Sequence, residues 1–522
     1  MFHSLTRVLF ARSSCAASKR VLSQNVTLTR RLDSDNQFDC IKSINDSNAA
    51  NQDWTALKNH VLSMRGNLNQ KNIEAVMLKT MVVSKNYVAA SLFAQHLKTT
   101  YDELPLGSLN SILLFYASLG KENQLTKEQK QFILDTYKSL YDKYKVLDSS
   151  TCEMLLSALC VINECEKALK VLDDIHLSSV PTHSAYSRLI ATFFRLNKKK
   201  KALEMVEQSI KHKRPLQDEA YEEWINYILR KYKEKKTIAK YLDEIFKIIA
   251  SHCTIIPEKT ANRLINLYGS LNWDACLARI RKSDGQCSSC KETLDCLTLS
   301  DTEFNILQKN VKDKLIIGSD VLLKTTEKEL KGFLSFVERT APYDVVLDGL
   351  NICYAIGKGT HLQRLQLLNH VVNYFQERNK KIVLLGRQHM LKWNKQILEN
   401  IAGKCHCFFI ENISQDDPFF ITAAILSGPH TDIVSKDLLR GHQFNLKDDS
   451  LKQIFKTWQW MHQWMVFTNG PKGISIQPPI TFTPCAQKQN NTWHLPYVSE
   501  TVTSSTMLND GVPDLQSWLC LK

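Results

Sequence analysis

Two rhythms of apolar residues divide this chain. From about residue 74 to residue 268, apolar positions recur at helical spacing, and the helical pattern itself repeats. Leu155-Leu-Ser-Ala-Leu-Cys160 returns 34 residues later as Leu189-Ile-Ala-Thr-Phe-Phe194. Lys167-Ala-Leu169 returns as Lys201-Ala-Leu203, and Pro181 as Pro215. A further copy starts at Ala220-Tyr221 against Ala185-Tyr186, a degenerate one at Leu264-Ile-Asn-Leu267, and Ala75 and Asn110 open an upstream pair 35 apart. Each unit reads as two antiparallel helices and a turn. Such a unit buries its apolar face only against a neighbour, so the expectation for 50–270 is an α-helical solenoid.

From about residue 301 the rhythm changes. Short apolar runs at 344–348, 381–386, 406–410, 432–435 and 463–468 read as strands. Helical stretches at 361–378, 389–401, 418–427 and 450–460 separate them. Strands joined by single helices imply right-handed crossovers and a parallel α/β sheet. Pro418, directly after Asp416-Asp417, fits the first turn of a helix.

Length and charge add a class. A chain of 522 residues exceeds one core, and roughly three domains is the prior. No run of 18 apolar residues occurs, which argues against a membrane helix. The formal charge of +14 favours an anionic partner, nucleic acid before membrane. Residues 1–32 are rich in Arg, Ser and Thr, and the first acid is Asp33. That is the composition of a mitochondrial transit peptide, assigned to residues 1–40. Among fifteen cysteines, Cys152, Cys160 and Cys165 sit in helical patterns as buried free thiols do, which suits a reducing compartment. The runs Lys198–Lys201, Lys211–Arg214 and Arg230–Lys236 fall at inter-helix turns of successive repeats, where phosphate contact is expected.

The candidate chemistry lies just past the strands. Asp348 closes the first apolar run, Asp416 and Asp417 follow the third, and Asp437 follows the fourth. In open parallel sheets these are the carboxyl ends, where sites are built. Aspartates gathered there without thiol or imidazole suit a hard cation such as Mg²⁺, hence metal-dependent phosphoryl transfer. Neither Gly-x-Gly-x-x-Gly, a Walker lysine motif nor a Gly-x-Ser-x-Gly elbow is present. His442 reads equally as a phosphate contact or proton shuttle and as a loop residue. Asn351 is suited to orienting a carboxylate, and Arg387 to gripping phosphate or to an internal ion pair. Cys287-Ser-Ser-Cys290 is a metal-ligand knuckle needing two more ligands. Cys296 and Cys405-His-Cys407 are available, and His494 with Cys520 is the better pair, but by spacing alone Cys-x-x-Cys also reads as a redox pair or as unliganded thiols.

Asp344-Val-Val-Leu-Asp-Gly-Leu-Asn351, Leu384-Leu-Gly-Arg-Gln-His-Met390, Ser414-Gln-Asp-Asp-Pro-Phe419 and Ser435-Lys-Asp-Leu-Leu-Arg-Gly-His442 resemble the nuclease domain of the protein-only RNase P family. Trp493-His-Leu-Pro-Tyr497 and Trp518-Leu-Cys-Leu521 resemble its animal mitochondrial members, and the repeats resemble pentatricopeptide repeats. The resemblance implies a multidomain α plus α/β chain. Pentatricopeptide repeats would span 50–270 and a split zinc module 271–300 with 478–522. An NYN/PIN-like metallonuclease would span 301–477. It implies removal of the 5′ leader from precursor tRNA in the mitochondrial matrix. Asp348, Asp416, Asp417 and Asp437 match the acids that hold two Mg²⁺, with Mn²⁺ as a substitute. Cys287, Cys290, His494 and Cys520 match the ligands of a structural Zn²⁺. It further implies two partners, a tRNA methyltransferase-like and a short-chain dehydrogenase-like subunit. Gly441 departs from the acidic residue more usual there. The rival readings are a non-catalytic mitochondrial RNA-binding protein and a nuclease for another structured RNA.

Overall fold

A computed structural model describes residues 37–522 except 45–48, 123, 282, 312–325, 412–416, 437–447, 469–472 and 499–516. The chain forms two compact units, Met1–Ile248 with Lys259–Arg263, and Ile249–Glu258 with Leu264–Lys522.

In the first unit the repeat becomes helix pairs. After α1 (Trp54–Ser63) come α2 (Ile73–Val83) and α3 (Tyr87–Thr100), then α4 (Leu106–Glu122) and α5 (Lys127–Lys143). There follow α6 (Ser149–Val161) and α7 (Cys165–Ser178), α8 (His183–Arg195) and α9 (Lys199–Lys211), and α10 (Asp218–Lys231) and α11 (Lys235–Ser251). The 34- and 35-residue offsets are therefore the spacing between Ser149, His183 and Asp218, the starts of successive pairs. Local chemistry sets the boundaries. The Thr182 hydroxyl accepts from the Ala185 N–H to start α8. Left-handed Asn163 and Asn197 (φ 66° and 60°) turn the chain after α6 and α8. The conserved spacing of apolar residues is burial: Leu155, Leu159, Leu189 and Phe193 are all fully buried.

The expected buried thiols are there. Burial pushes the Cys152 thiol up to about 11 and the Cys160 thiol up to about 12. One pairing departs from the free-thiol reading, because Cys253 and Cys485 form a disulfide. The basic runs are also less available than their spacing suggested. Lys198 and Lys201 reach Glu166, Lys199 reaches Glu244, and Arg230 reaches Glu223 and the Phe194 carbonyl. A sequence shows charge runs but not the acids that the neighbouring repeat presents to them.

The second unit holds two sheets. Helix α12 spans Glu258–Ser270. In the smaller sheet, β1 (Ile256–Pro257) pairs with β10 (Thr492–Val498). Strand β10 pairs with β9 (Gln487–Gln489) and β11 (Trp518–Leu521), and β11 with β2 (Ala275–Ala278). The larger sheet has the order β5 (His406–Ile410), β4 (Ile382–Arg387), β3 (Val345–Asp348), β6 (Asp432–Val434), β7 (Gln463–Thr468), β8 (Ile474–Gln477). The first five are parallel and are the five strands read from the sequence, and β8 adds an antiparallel edge.

Strand alternation supplies two apolar faces. Val346, Val383, Leu385 and Ile433 join one core with α13 (Asp301–Asn310), α14 (Glu327–Thr340), α18 (Asp417–Ser427) and α19 (Asp449–His462). Val345, Leu347, Leu384 and Val434 join the other with α15 (Gly349–Tyr354), α16 (His361–Gln376) and α17 (Lys395–Ala402). A sheet covered on both faces explains why its strands read as continuous apolar runs. Among the described residues no helix is long and apolar enough to cross a membrane.

Candidate active site and metal cluster

Strand order places the first candidate carboxylate. From β3 the chain adds β4 and β5 on one side and β6 and β7 on the other, so the crossover reverses between β3 and β6. The crevice at the carboxyl ends of those two strands is the switch point where open α/β sheets bind ligands. Asp348 ends β3 at that crevice and is 8% exposed.

Two neutral donors orient its carboxylate. The Asn351 N–H bonds Oδ1 at 3.1 Å, which makes Asp348 the N-cap of α15. The fully buried Ser435 hydroxyl bonds Oδ2 at 3.0 Å from the end of β6. Ser435 is itself held, its carbonyl accepting from the Gln463 amide at 2.7 Å. The Asn351 side chain closes the corner by accepting from the Lys436 N–H at 2.7 Å. These donors fix the direction in which both carboxylate oxygens point. Gly349 makes the approach possible. A Cβ there would lie 2.8 Å from Leu384 Cδ1 and 2.9 Å from the Leu385 carbonyl oxygen.

The remaining candidates are only partly visible. Asp417 is the first residue of α18, which packs against β3. Asp348 shares the strand face of Val346, whose core includes Phe419 and Phe420 of α18. The Asp417 side chain, and all of Asp416, Asp437 and His442, lie outside the described residues. Arg387 ends β4, half-buried, with its guanidinium reaching the Glu411 carbonyl at 3.5 Å. Ser435 was missed in the sequence. Its only signal was a small hydroxyl directly after an apolar run.

The cysteine knuckle meets its partners in the smaller sheet. The ligand atoms of Cys287, Cys290, His494 and Cys520 all lie within 4.8 Å of one another. His494 and Cys520 are a direct cross-strand pair of β10 and β11. The knuckle turns through left-handed Gly285 (φ 73°) and Lys291 (φ 67°), with the Cys287 N–H bonded to the Glu292 carbonyl at 2.8 Å. His494 Nε2 lies 3.1 Å from the Cys290 sulfur, and Nδ1 lies 3.2 Å from Gln489 Oε1. A donor bond from Nδ1 to that amide oxygen would leave Nε2 as the ligand atom, the usual outer-shell arrangement of metal-bound histidine. The Cys520 thiol beside it lowers the Cys287 thiol to about 3, and the same contact together with burial raises Cys520. Three sulfurs and one imidazole lie mutually close, all buried except the half-buried Cys290, a donor set that suits a tetrahedral zinc with no open position.

The competing ligands fall elsewhere. Cys296 is exposed and outside the cluster. Cys405 and Cys407 have their sulfurs 3.7 Å apart in the other sheet. Cys276 stands opposite Cys520 in the sheet but gives its thiol to Ser289 at 3.0 Å.

The sequence profile of protein-only RNase P matches residues 281–520. The mitochondrial ribonuclease P catalytic subunit of Mus musculus is 30% identical over 403 residues, covering 76% of this chain and 67% of the mouse protein. That of Rattus norvegicus is 30% identical over 404 residues, with the same coverage. Proteinaceous RNase P 1 of Arabidopsis thaliana, chloroplastic/mitochondrial, is 24% identical over 253 residues, 46% of this chain and 40% of the plant protein. The crystal structure of nuclear proteinaceous RNase P 2 from A. thaliana aligns with a TM-score of 0.49 at 16% identity, covering 87% of this chain and all of that one.

Proposed function

This chain belongs to the protein-only RNase P family of endoribonucleases, and on that premise we propose that it removes the 5′ leader from mitochondrial precursor tRNAs. The observation that carries this reading is the buried, doubly hydrogen-bonded Asp348 at the switch point of the larger sheet. A carboxylate oriented there by neutral donors fits a hard divalent cation.

In this reading Asp348, Asp416, Asp417 and Asp437 hold Mg²⁺. Bound there, the metal would supply Lewis acidity to the scissile phosphate and lower the pKa of water. The protein's share is positional. Ser435 and the Asn351 N–H fix both oxygens of Asp348, and the Asn351 side chain ties the β6 exit to the same corner. His442 is assigned to the scissile phosphate or to proton transfer. Water attack leaves a 5′-phosphate on the tRNA and a 3′-hydroxyl on the leader. Cys287, Cys290, His494 and Cys520 hold a structural zinc, which takes no part in the reaction.

The helix pairs act in this proposal as pentatricopeptide repeats that hold the folded tRNA body. Residues 1–40 direct import to the matrix. The tRNA methyltransferase-like and dehydrogenase-like subunits complete the enzyme. The test is incubation of the full chain with 5′-labelled mitochondrial precursor tRNA and Mg²⁺, with and without those two subunits. A single cut at the mature 5′ end, lost in EDTA and in Asp417→Asn, is the expected result. Precursor binding without a cut under either condition would overturn the assignment in favour of a non-catalytic RNA-binding protein.

A further inference from the structure

The short helix that Asp348 caps ends in an exposed aromatic ring. Asn351, on its first turns, bonds the carboxylate, and Tyr354 closes the helix. Asn351, Tyr354, Ala355 and Lys436 line an open hollow of ≈ 270 Å³. Tyr354 is 48% exposed, yet its ring is not left to wander. The Arg364 guanidinium lies over it, 4.0 Å from the centroid. Trp393 meets it edge-on at 6.5 Å and stacks on His361 at 4.6 Å with planes within 4°.

An exposed ring braced by a cation and an indole has little conformational entropy left to lose on binding. Arg364 and Lys436 offset the repulsion that Asp348 exerts on a polyanion. An oriented, half-exposed ring with a guanidinium over one face matches, on its other face, an unpaired base on its backbone, since bases inside a duplex already stack on one another. The proposed substrate has such a base at the reacting bond, because the leader is unpaired where the acceptor stem begins.

We propose that Tyr354 is the stacking platform for the leader nucleotide immediately 5′ of the scissile phosphate, setting that phosphate against Asp348. This rests on the leader-removal reading, and the test separates the two. Single-turnover cleavage is measured for wild type, Tyr354→Ala and Tyr354→Phe, with the partner subunits present. The substrates are a normal precursor and one abasic at that nucleotide. Tyr354→Ala slows the normal substrate about tenfold, the scale of one lost base–aromatic stack, and Tyr354→Phe stays within about twofold. The abasic substrate is equally slow with all three proteins.

A 2-aminopurine at the same position reads stacking without cleavage. In the Asp348→Asn background its fluorescence is quenched on binding, and adding Tyr354→Ala removes the quench. The proposal is overturned if Tyr354→Ala slows both substrates alike, if the quench does not depend on Tyr354, or if its effect vanishes only when the unpaired 3′ tail is removed. Wild-type cutting away from the mature 5′ end would overturn the leader-removal reading and leave the fluorescence result legible.

Discussion

Replacing His494 with alanine removes one corner of the Cys287–Cys290–His494–Cys520 cluster, and its cost can be worked from the topology. The cluster joins Cys290 to His494 across 204 residues of chain. The Cys253–Cys485 disulfide already bridges most of that span, so the loop left to close is about 46 residues and carries a chain-entropy value of ~4 kcal/mol. Not all of it depends on the metal. The knuckle segment is also tied to the C-terminal strands by backbone bonds between Leu297 and Thr481 and between Thr483 and Asp295. His494 and Cys520 are held side by side by the sheet. About half of the entropic term therefore survives, and the expected loss is ~2 kcal/mol. For a unit of this size that corresponds to a fall in Tm of roughly 4–8 °C. Calorimetry on the full chain reads the transition, and metal analysis reads one zinc per wild-type chain. Cys296→Ser, at an exposed cysteine outside the cluster, is the control. Wild type treated with a zinc chelator should fall to the His494→Ala value. A wild-type transition indifferent to chelation, or His494→Ala melting with the control, would refute the argument.

Asp348→Asn is expected to lower cleavage by on the order of 10²- to 10³-fold, with Tm and precursor binding nearly unchanged, as single-turnover kinetics and melting would report. Gly349→Ala should cost about 1–3 kcal/mol and depress kcat more than KM, because the new Cβ must displace the β4 backbone or Asp348. Gly332→Ala, in the exposed middle of α14 with nothing within 4 Å of a Cβ, should instead stabilise by ~0.5–1 kcal/mol on denaturant titration. At Glu74, burial favours the protonated acid, but bonds from Lys58 at 2.5 Å, Tyr101 and Ser108 outweigh it and hold the carboxyl below its ordinary value. Its stabilisation is present above the unfolded carboxylate pKa and is lost as pH falls through the lower folded value. Glu74→Gln should therefore lose less stability than wild type between neutral pH and the acid side of that window, measured by urea midpoints.

The elements of this protein were legible in its sequence because their signals are local. Five apolar runs gave β3 to β7 with ends within one residue, most plainly at the central β3, β4 and β6, which are buried on both faces and tolerate little polar interruption. The 34- and 35-residue offsets gave the helix pairs, because each repeat must present the same apolar face to its neighbour. Asp348 was legible as a strand-end acid. The candidate metal-ligand set Cys287, Cys290, His494 and Cys520 came from family resemblance, spacing alone being a weak guide.

Pairing across the chain was decided by tertiary structure alone. That β3 lies beside β6, and so sets Ser435 against Asp348 from 87 residues away, follows from strand order, which no local period encodes. The same holds for the meeting of His494 and Cys520 with Cys287 and Cys290, because it depends on which strands share a sheet. The Cys253–Cys485 link and the capture of Lys198 and Lys201 by Glu166 belong here too. Periodicity reports which face of an element is buried. What that face is buried against is a property of the packed chain.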